Sequence, residues 1–375
     1  MKSKIVTFFL FIIMIGLIAG FLFVGWAIYN DLFTGDVVET LHTGENLIAI
    51  DDGSSTTTIT RKKSIGETIA DIFTSTEEDV TQEYSSNGSI GNFFYEQLNT
   101  TQKSIYNGLQ ENKEKMMSGT YKIEFGNNFY DVLNQENGSD ILGNDYQTAI
   151  EAFTHDNPDL FYIDVSKMYL NMETRKKAFK TTYNVFISPE ENQTYYANGF
   201  NSENSVKLAL KKIEKERDYV LSKLTKNTYK DIKIIHDYLI DNLEYDEGYK
   251  SLGTYTIYGA LVDHRCVCEG YTRAFKYLAD AAGIKCVLIQ GTATNKQGKT
   301  EKHAWNAVNL RNTWYLIDTT WDDPIIVGGG VILSSTHYRY FLKGSRTFAA
   351  DHISERQFTE KGKFFDYPNI SESDY

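Results

Sequence analysis

The chain has 375 residues and a formal net charge of −12. An acidic balance of this size argues against nucleic acid as a partner, and against adhesion by charge alone to anionic lipid or polyanionic wall polymers. Three cysteines cannot all pair with one another, and a disulfide scaffold would use more of them.

Lys2 and Lys4 precede an uncharged run from Ile5 to Tyr29, long enough to cross a bilayer, which takes about 20 residues. The run exceeds the roughly 7–15 apolar residues of a cleaved secretory signal, and no convincing small-residue cleavage site follows it. It predicts a transmembrane signal anchor at residues 5–29. Residues 1–4 are then cytoplasmic and the bulk extracytoplasmic, at the cell surface. A cleaved signal peptide, with the protein secreted, is the alternative. Lys2 and Lys4 are the only charges before Asp31, so removing their +2 from −12 leaves −14 beyond the anchor.

Residues 30–91 are rich in Ser, Thr, Gly, Asp and Glu and lack sustained apolar periodicity, apart from a short possible helix at Ser64 to Phe73. They read as a flexible stalk or linker. Residues 92–224 form an N-terminal α/β region. It carries a helix around Phe93 to Leu109, a strand at Thr120 to Phe125 and a second helix at Tyr146 to Phe153. Strands are expected at Leu160 to Ile163 and at Ala178 to Ile187, the latter stopped by Ser188-Pro189. This region is either a separate domain or an elaboration packed on the C-terminal core. Long amphipathic helices are expected at Ser205 to Leu224 and Tyr229 to Asn242, the second leading into a domain at residues 225–375.

The chemistry concentrates in that last part. Tyr271, Ala274, Phe275, Leu278, Ala281 and Ala282 recur at helical spacing, with Gly283 as the stop. Cys268 therefore sits at the first turn, where unpaired backbone N–H groups favour a thiolate and can stabilise an oxyanion. Downstream, Lys302 to Leu310 and Thr313 to Ile317 read as a β-hairpin. With its turn at Leu310-Arg311, His303 lies opposite Asp318; with the turn at Arg311-Asn312, the two are diagonal neighbours. Either register leaves their Cβ atoms roughly 5–8 Å apart. A thiol, an imidazole and a carboxylate are the parts of a nucleophile–base–orienter assembly for acyl transfer.

The stretch from about Lys230 to Asp351 resembles the transglutaminase-like superfamily, papain-related cysteine enzymes, and above all its secreted or surface-anchored bacterial members. The resemblance rests on Ile235-His236-Asp237-Tyr238 with Glu244-Tyr245-Asp246, on Tyr258-Gly259-Ala260-Leu261, and on Val267-Cys268-Glu269-Gly270-Tyr271. It continues through His303-Ala304-Trp305-Asn306, Trp314-Tyr315, Asp318 to Pro324, and Tyr340-Phe341-Leu342. Cys266 is a departure, since the pattern there more usually has another residue. The resemblance implies Cys268 as nucleophile, His303 as general base and acid, and Asp318 as orienter. It implies an α+β fold, with the cysteine at a helix N-terminus packed on an antiparallel sheet that carries the histidine and aspartate.

The expected protein is thus a membrane-anchored cysteine acyltransferase or hydrolase that acts through a thioester on protein or peptide amides, cell-wall peptides among them. No cofactor and no metal are expected, and no EF-hand-like calcium loop is present. The alternative is a catalytically idle module of the same fold that binds wall or protein ligands. A zinc-stabilised domain using Cys266 and Cys268 with His264 or His303 is a third reading. Tyr258 is a candidate oxyanion donor beside the Cys268 backbone, and Trp305 and Trp321 are candidates for the substrate cleft. Cys286 reads as a core residue, with a Cys266–Cys286 bridge as an alternative. Asp322-Asp323 reads as a turn before Pro324. His236, His264, His337 and His352 read as structural or surface residues.

Overall fold

A computed structural model describes residues 39–42, 92–177, 180–323, 337–354 and 365–375. The expected anchor at residues 5–29 lies outside them. Among the described residues no helix is long and apolar enough to cross a membrane.

In chain order the main elements are β1 (Glu39–His42), α1 (Thr100–Glu111), β2 (Ile123–Gly126), α2 (Gly138–Asp156), β3 (Tyr169–Lys177) and β4 (Lys180–Ser188). After these come α3 (Glu203–Leu221), α4 (Thr228–Asn242), β5 (Glu244–Tyr245), β6 (Arg265–Cys266) and α5 (Cys268–Ala281). The chain then runs through β7 (Cys286–Thr294), β8 (Thr300–Leu310), β9 (Thr313–Ile317) and β10 (His352–Ser354). Two four-stranded antiparallel sheets result, ordered β1-β3-β4-β2 and β10-β7-β8-β9.

Local chemistry sets the helix ends. Asn99 and Gln102 exchange side-chain and backbone hydrogen bonds in a capping box that starts α1. At the other end of α5, Gly283 adopts φ +75°, its N–H donates to the Asp280 carbonyl, and the Ile284 N–H donates to Ala279. That is the Schellman closure a glycine after the last turn favours.

Some expectations change. Leu160 to Ile163 is not a strand: Leu160 and Ile163 donate to Asn157 and Leu160 in successive turns, and all four side chains are buried, so the apolar run reflects a buried turn. Within the expected stalk, Glu39–His42 pairs with β3; an edge strand joins by backbone hydrogen bonds and needs no apolar pattern of its own. Strand β3 was not anticipated, because its buried positions Leu170, Asn171 and Thr174 do not alternate.

The upstream region shares one hydrophobic core with the rest. Phe94 packs edge-on against Phe365 at 5.2 Å and against His155 at 5.2 Å. The Asp156 carboxylate accepts the Phe94 and Tyr95 N–H groups and the Tyr106 hydroxyl, and Arg273 on α5 donates to the Thr154 carbonyl at 3.1 Å. Upstream and downstream parts are therefore one packed body, and α2 braces the helix that begins at Cys268.

Candidate active site

Helix α5 packs across β7 and β8. The Asn306 amide on β8 ties the layers together by donating to the Thr272 carbonyl at 3.1 Å and to the Cys286 sulfur at 3.4 Å. Cys268 is the first residue of α5, and the preceding Val267 supplies no side-chain cap, so no capping side chain occupies the first-turn N–H groups. Its position is set from outside the helix. The buried Asp246 carboxylate accepts the Ser251 N–H and the Thr254 hydroxyl, each at 2.9 Å. The Thr254 carbonyl in turn accepts the Val267 N–H at 3.0 Å. Gly270 permits this approach: a Cβ there would lie 2.4 Å from Cys266 Cβ and 2.9 Å from the Thr254 oxygen.

The hairpin turns at Arg311-Asn312, with Leu310 opposite Thr313 and φ of +55° and +63° at the two turn residues. Two consecutive positive φ values make the tight turn that matches strand twist. In this register His303 and Asp318 are diagonal neighbours. Pairing ends at Ile317, and Asp318 caps a single helical turn, Thr319–Asp322, by accepting the Thr320 and Trp321 N–H groups at 3.0 and 3.2 Å through Oδ1. Its Oδ2 accepts from His303 Nε2 at 2.7 Å. With Nε2 engaged by Asp318, Nδ1 is the ring nitrogen left to meet the Cys268 side chain, which acts on the imidazole electrostatically.

The electrostatics are set by this geometry. Burial disfavours the charged His303 ring, but the Asp318 carboxylate outweighs it, and with Cys268 pushes the imidazole up to about 10. Asp318 is fully buried, which opposes ionisation, yet His303 and His352 hold its carboxyl well below the usual carboxylate range. All three cysteines are free thiols: Cys266 and Cys286 are buried, and Cys268 is partly exposed. No Cys266–Cys286 bridge forms. Burial pushes both of those thiols upward.

Other candidates fall elsewhere. Trp305 is 2% exposed and belongs to the core, whereas Trp321 is partly exposed, its ring 5.4 Å from that of His303. Tyr258 is a packing residue between Phe161 at 6.2 Å and Phe200 at 5.6 Å. The phenol coupled electrostatically to Cys268 is Tyr245, which burial and then Cys268 push upward. Its motif is visible in the sequence, but nothing there marks it as coupled to Cys268. Asp322 and Asp323 are not a solvated turn. Asp322 accepts from His236 Nε2 at 3.1 Å and from the Tyr340 N–H at 2.8 Å, and Asp323 accepts the Tyr271 hydroxyl at 2.5 Å. The zinc reading fails on position: among the described residues Cys266 and Cys268 join no set of converging ligands. His303, Asp318 and His352 bring donor atoms within 4.8 Å of one another, but both ring nitrogens concerned are hydrogen-bonded to Asp318.

A cysteine opening a helix that lies on an antiparallel sheet, beside a histidine paired to an aspartate, defines the papain-like α+β class. Residues 218–319 match the transglutaminase-like superfamily, and the chain carries a domain of that superfamily. It is 30% identical over 105 residues to the kyphoscoliosis peptidase of Mus musculus, a match covering 24% of this chain and 15% of the relative. The human kyphoscoliosis peptidase is 29% identical over 102 residues, with the same shares covered. The chain thus spans about 15% of the length of the curated relatives it matches. Among solved structures, the periplasmic domain of TgpA from Pseudomonas aeruginosa aligns at 11% identity with a TM-score of 0.24, over 43% of this chain and 73% of that one.

Proposed function

We propose that the protein is a cysteine acyltransferase or hydrolase acting on protein or peptide amides through a Cys268 thioester. The observation that carries this reading is His303, hydrogen-bonded to Asp318 at 2.7 Å and acted on by the Cys268 side chain, with Cys268 the accessible thiol of the three. The Cys268 thiolate attacks the amide carbonyl carbon. The C–N bond breaks, and His303 gives its proton to the leaving amine or ammonia. An incoming amine or water then loses a proton to His303 and attacks the thioester, releasing the sulfur. An amine yields a cross-link, and water yields hydrolysis. The name of the kyphoscoliosis peptidases supports peptide hydrolysis as the outcome. The apolar run at residues 5–29 supports a membrane-anchored enzyme with its substrates outside the cytoplasm, wall peptides among them. No metal or organic cofactor takes part in these steps.

The test is iodoacetamide labelling of the purified full chain with mapping of the modified residue. It is run beside amine incorporation into dimethylcasein and amine release from peptides. Cys268 is expected to label selectively, with His303→Ala slowing the labelling and Cys268→Ser abolishing both reactions. Equal, sluggish labelling of all three cysteines, or turnover that survives Cys268→Ser, overturns the proposal and favours a binding module.

A further inference from the structure

One buried histidine beside the site has no part in those steps. His352 lies on β10, whose three residues pair with β7 so that His352 faces Ala293. It is 4% exposed, and both of its ring nitrogens face carboxylates. Nε2 is 3.1 Å from Asp318 Oδ2, the oxygen that His303 also meets, and Nδ1 is 2.7 Å from Asp351 Oδ1. Asp351 is itself held through its other oxygen by the Tyr340 hydroxyl at 2.7 Å and by Arg339 at 3.3 Å.

An ionised carboxylate only accepts hydrogen bonds, so each of these two contacts calls for a hydrogen on the nitrogen that faces it. The surroundings would suit a charged ring. Trp321, Phe348, Trp305 and Tyr340 enclose it with ring centroids at 4.6, 4.7, 5.1 and 5.1 Å, and aromatic faces attract a desolvated cation. Packing alone would be met by a phenylalanine without burying carboxylates around it, which is costly unless they are paired. The seat is also built for close approach: a Cβ on Gly291 would lie 2.1 Å from the Ile353 oxygen and 2.8 Å from the Trp305 ring.

We infer that His352, charged and held by Asp351, is a positioning residue for Asp318. With His352 in place, Asp318 receives four donors, two on each oxygen. The carboxylate cannot rotate without losing a charged partner, and the His303 plane that aims Nδ1 at Cys268 is fixed with it. The groups facing His352 are Asp351 on its own segment, Asp318 after β9 and His303 on β8, with Arg339 and Tyr340 behind Asp351. The inference rests on the proposed thioester chemistry, and its test separates the two.

The full chain has seven histidines, so selective ¹⁵N-histidine labelling gives a readable spectrum. His352 is expected to show the imidazolium pattern, both nitrogens protonated, in the folded chain. In His352→Gln, which keeps a donor but no charge, the His303 midpoint should move upward by about one pH unit as a nearby cation is lost. His352→Phe should lower amine incorporation into dimethylcasein by about 10–100-fold, the scale on which orienting partners act in metal sites, while alkylation of Cys268 changes less than tenfold. A neutral His352 ring overturns the inference, as does unchanged turnover in His352→Phe. So does stoichiometric zinc that is lost in that variant, which would make the cluster a metal site. If His352→Phe does not fold, the ¹⁵N pattern and His352→Gln decide. If His303→Ala leaves Cys268 reactivity and turnover intact, it is the thioester reading that fails.

Discussion

Asp318→Asn is the substitution on which the proposed chemistry turns. The introduced amide is nearly isosteric, so the fold around it should persist. Thr320 and Trp321 donate to Oδ1, so the amide oxygen belongs on that side and the NH₂ group is directed at the oxygen position His303 now meets. A donor there requires His303 Nε2 to be bare, and the ring proton moves to Nδ1, the nitrogen facing the sulfur. The ring can then no longer take the thiol proton. Charge acts in the same direction. Raising a histidine from 6.5 to about 10 corresponds to about 5 kcal/mol of preference for the protonated ring, at about 1.4 kcal/mol per tenfold. The favourable side of that balance comes mainly from Asp318, while the burial that opposes it remains in the variant. Removing the carboxylate should therefore lower turnover by roughly three to four powers of ten, the scale seen when a catalytic histidine is left in the wrong tautomer.

Amine incorporation measures the turnover, and iodoacetamide labelling from pH 5 to 9 measures the sulfur. The parent is expected to label readily near neutrality. Asp318→Asn should label slowly there, with a rate that climbs with pH as for an ordinary thiol. Turnover within tenfold of the parent, with labelling as fast as the parent's, would show that Asp318 neither sets the His303 tautomer nor holds its charge.

Stability and thiol access are testable in the same way. Gly270→Ala forces a methyl against Cys266 Cβ and the Thr254 carbonyl; urea unfolding should show a loss of about 1–3 kcal/mol, and no loss would mean that loop and helix do not meet as described. Asp322→Ala leaves buried His236 with Asp237 as its remaining partner, and by the cost of breaking a buried pair the loss should be about 3–5 kcal/mol; under 1 kcal/mol would count against a closed pair. His303 is raised in the folded state, so its contribution is fully present below pH about 6.5 and is lost as pH rises toward 10. The melting midpoint of the parent should fall across that window more steeply than that of His303→Gln, and parallel curves would contradict the assignment. Cys266 and Cys286 should resist alkylation until the chain unfolds, and labelling of either in native buffer would show that its burial is not maintained.

Much of the site was legible because its determinants are local. A helix start at Cys268 follows from spacing and a glycine stop, and both hairpin registers open to the sequence keep His303 and Asp318 neighbours, the structure taking the diagonal one. What sequence could not supply was contact between segments far apart in the chain. Tyr258 and Tyr245 are both tyrosines next to short motifs; only the pairing of β5 with β6 sets the second one opposite Cys266, two residues before Cys268. Trp305 alternates along β8 like a residue that could line a cleft, and it takes β10 and Phe348, at 6.2 Å from its ring, to bury it. His352 is indistinguishable from a surface histidine until the chain, some 50 residues after His303, returns to the same carboxylate.

The stretch from Asp318 to Asp323 shows why fold and proposed chemistry are hard to separate in this protein. Its three acidic side chains each go to a different element: Asp318 to His303 on β8, Asp322 to His236 on α4, and Asp323 to Tyr271 on α5. One helical turn thereby fixes the sheet, the supporting helix and the cysteine helix relative to one another. The His303 and His236 contacts close buried polar groups that would otherwise be costly, and the Tyr271 contact is part-buried, so the segment is held for reasons of stability alone. Rigidity is also what an orienting carboxylate requires, since a misplacement of about 1 Å is enough to cost two powers of ten in rate. Substitutions at Asp322 or Asp323 should therefore lower turnover even where the protein stays folded, although neither side chain touches His303 or the sulfur. The loss should track the displacement of Asp318, read as a downward shift of the His303 midpoint in ¹⁵N spectra. An Asp323→Asn variant with full stability, an unshifted His303 and reduced turnover would break that link and assign Asp323 a separate role.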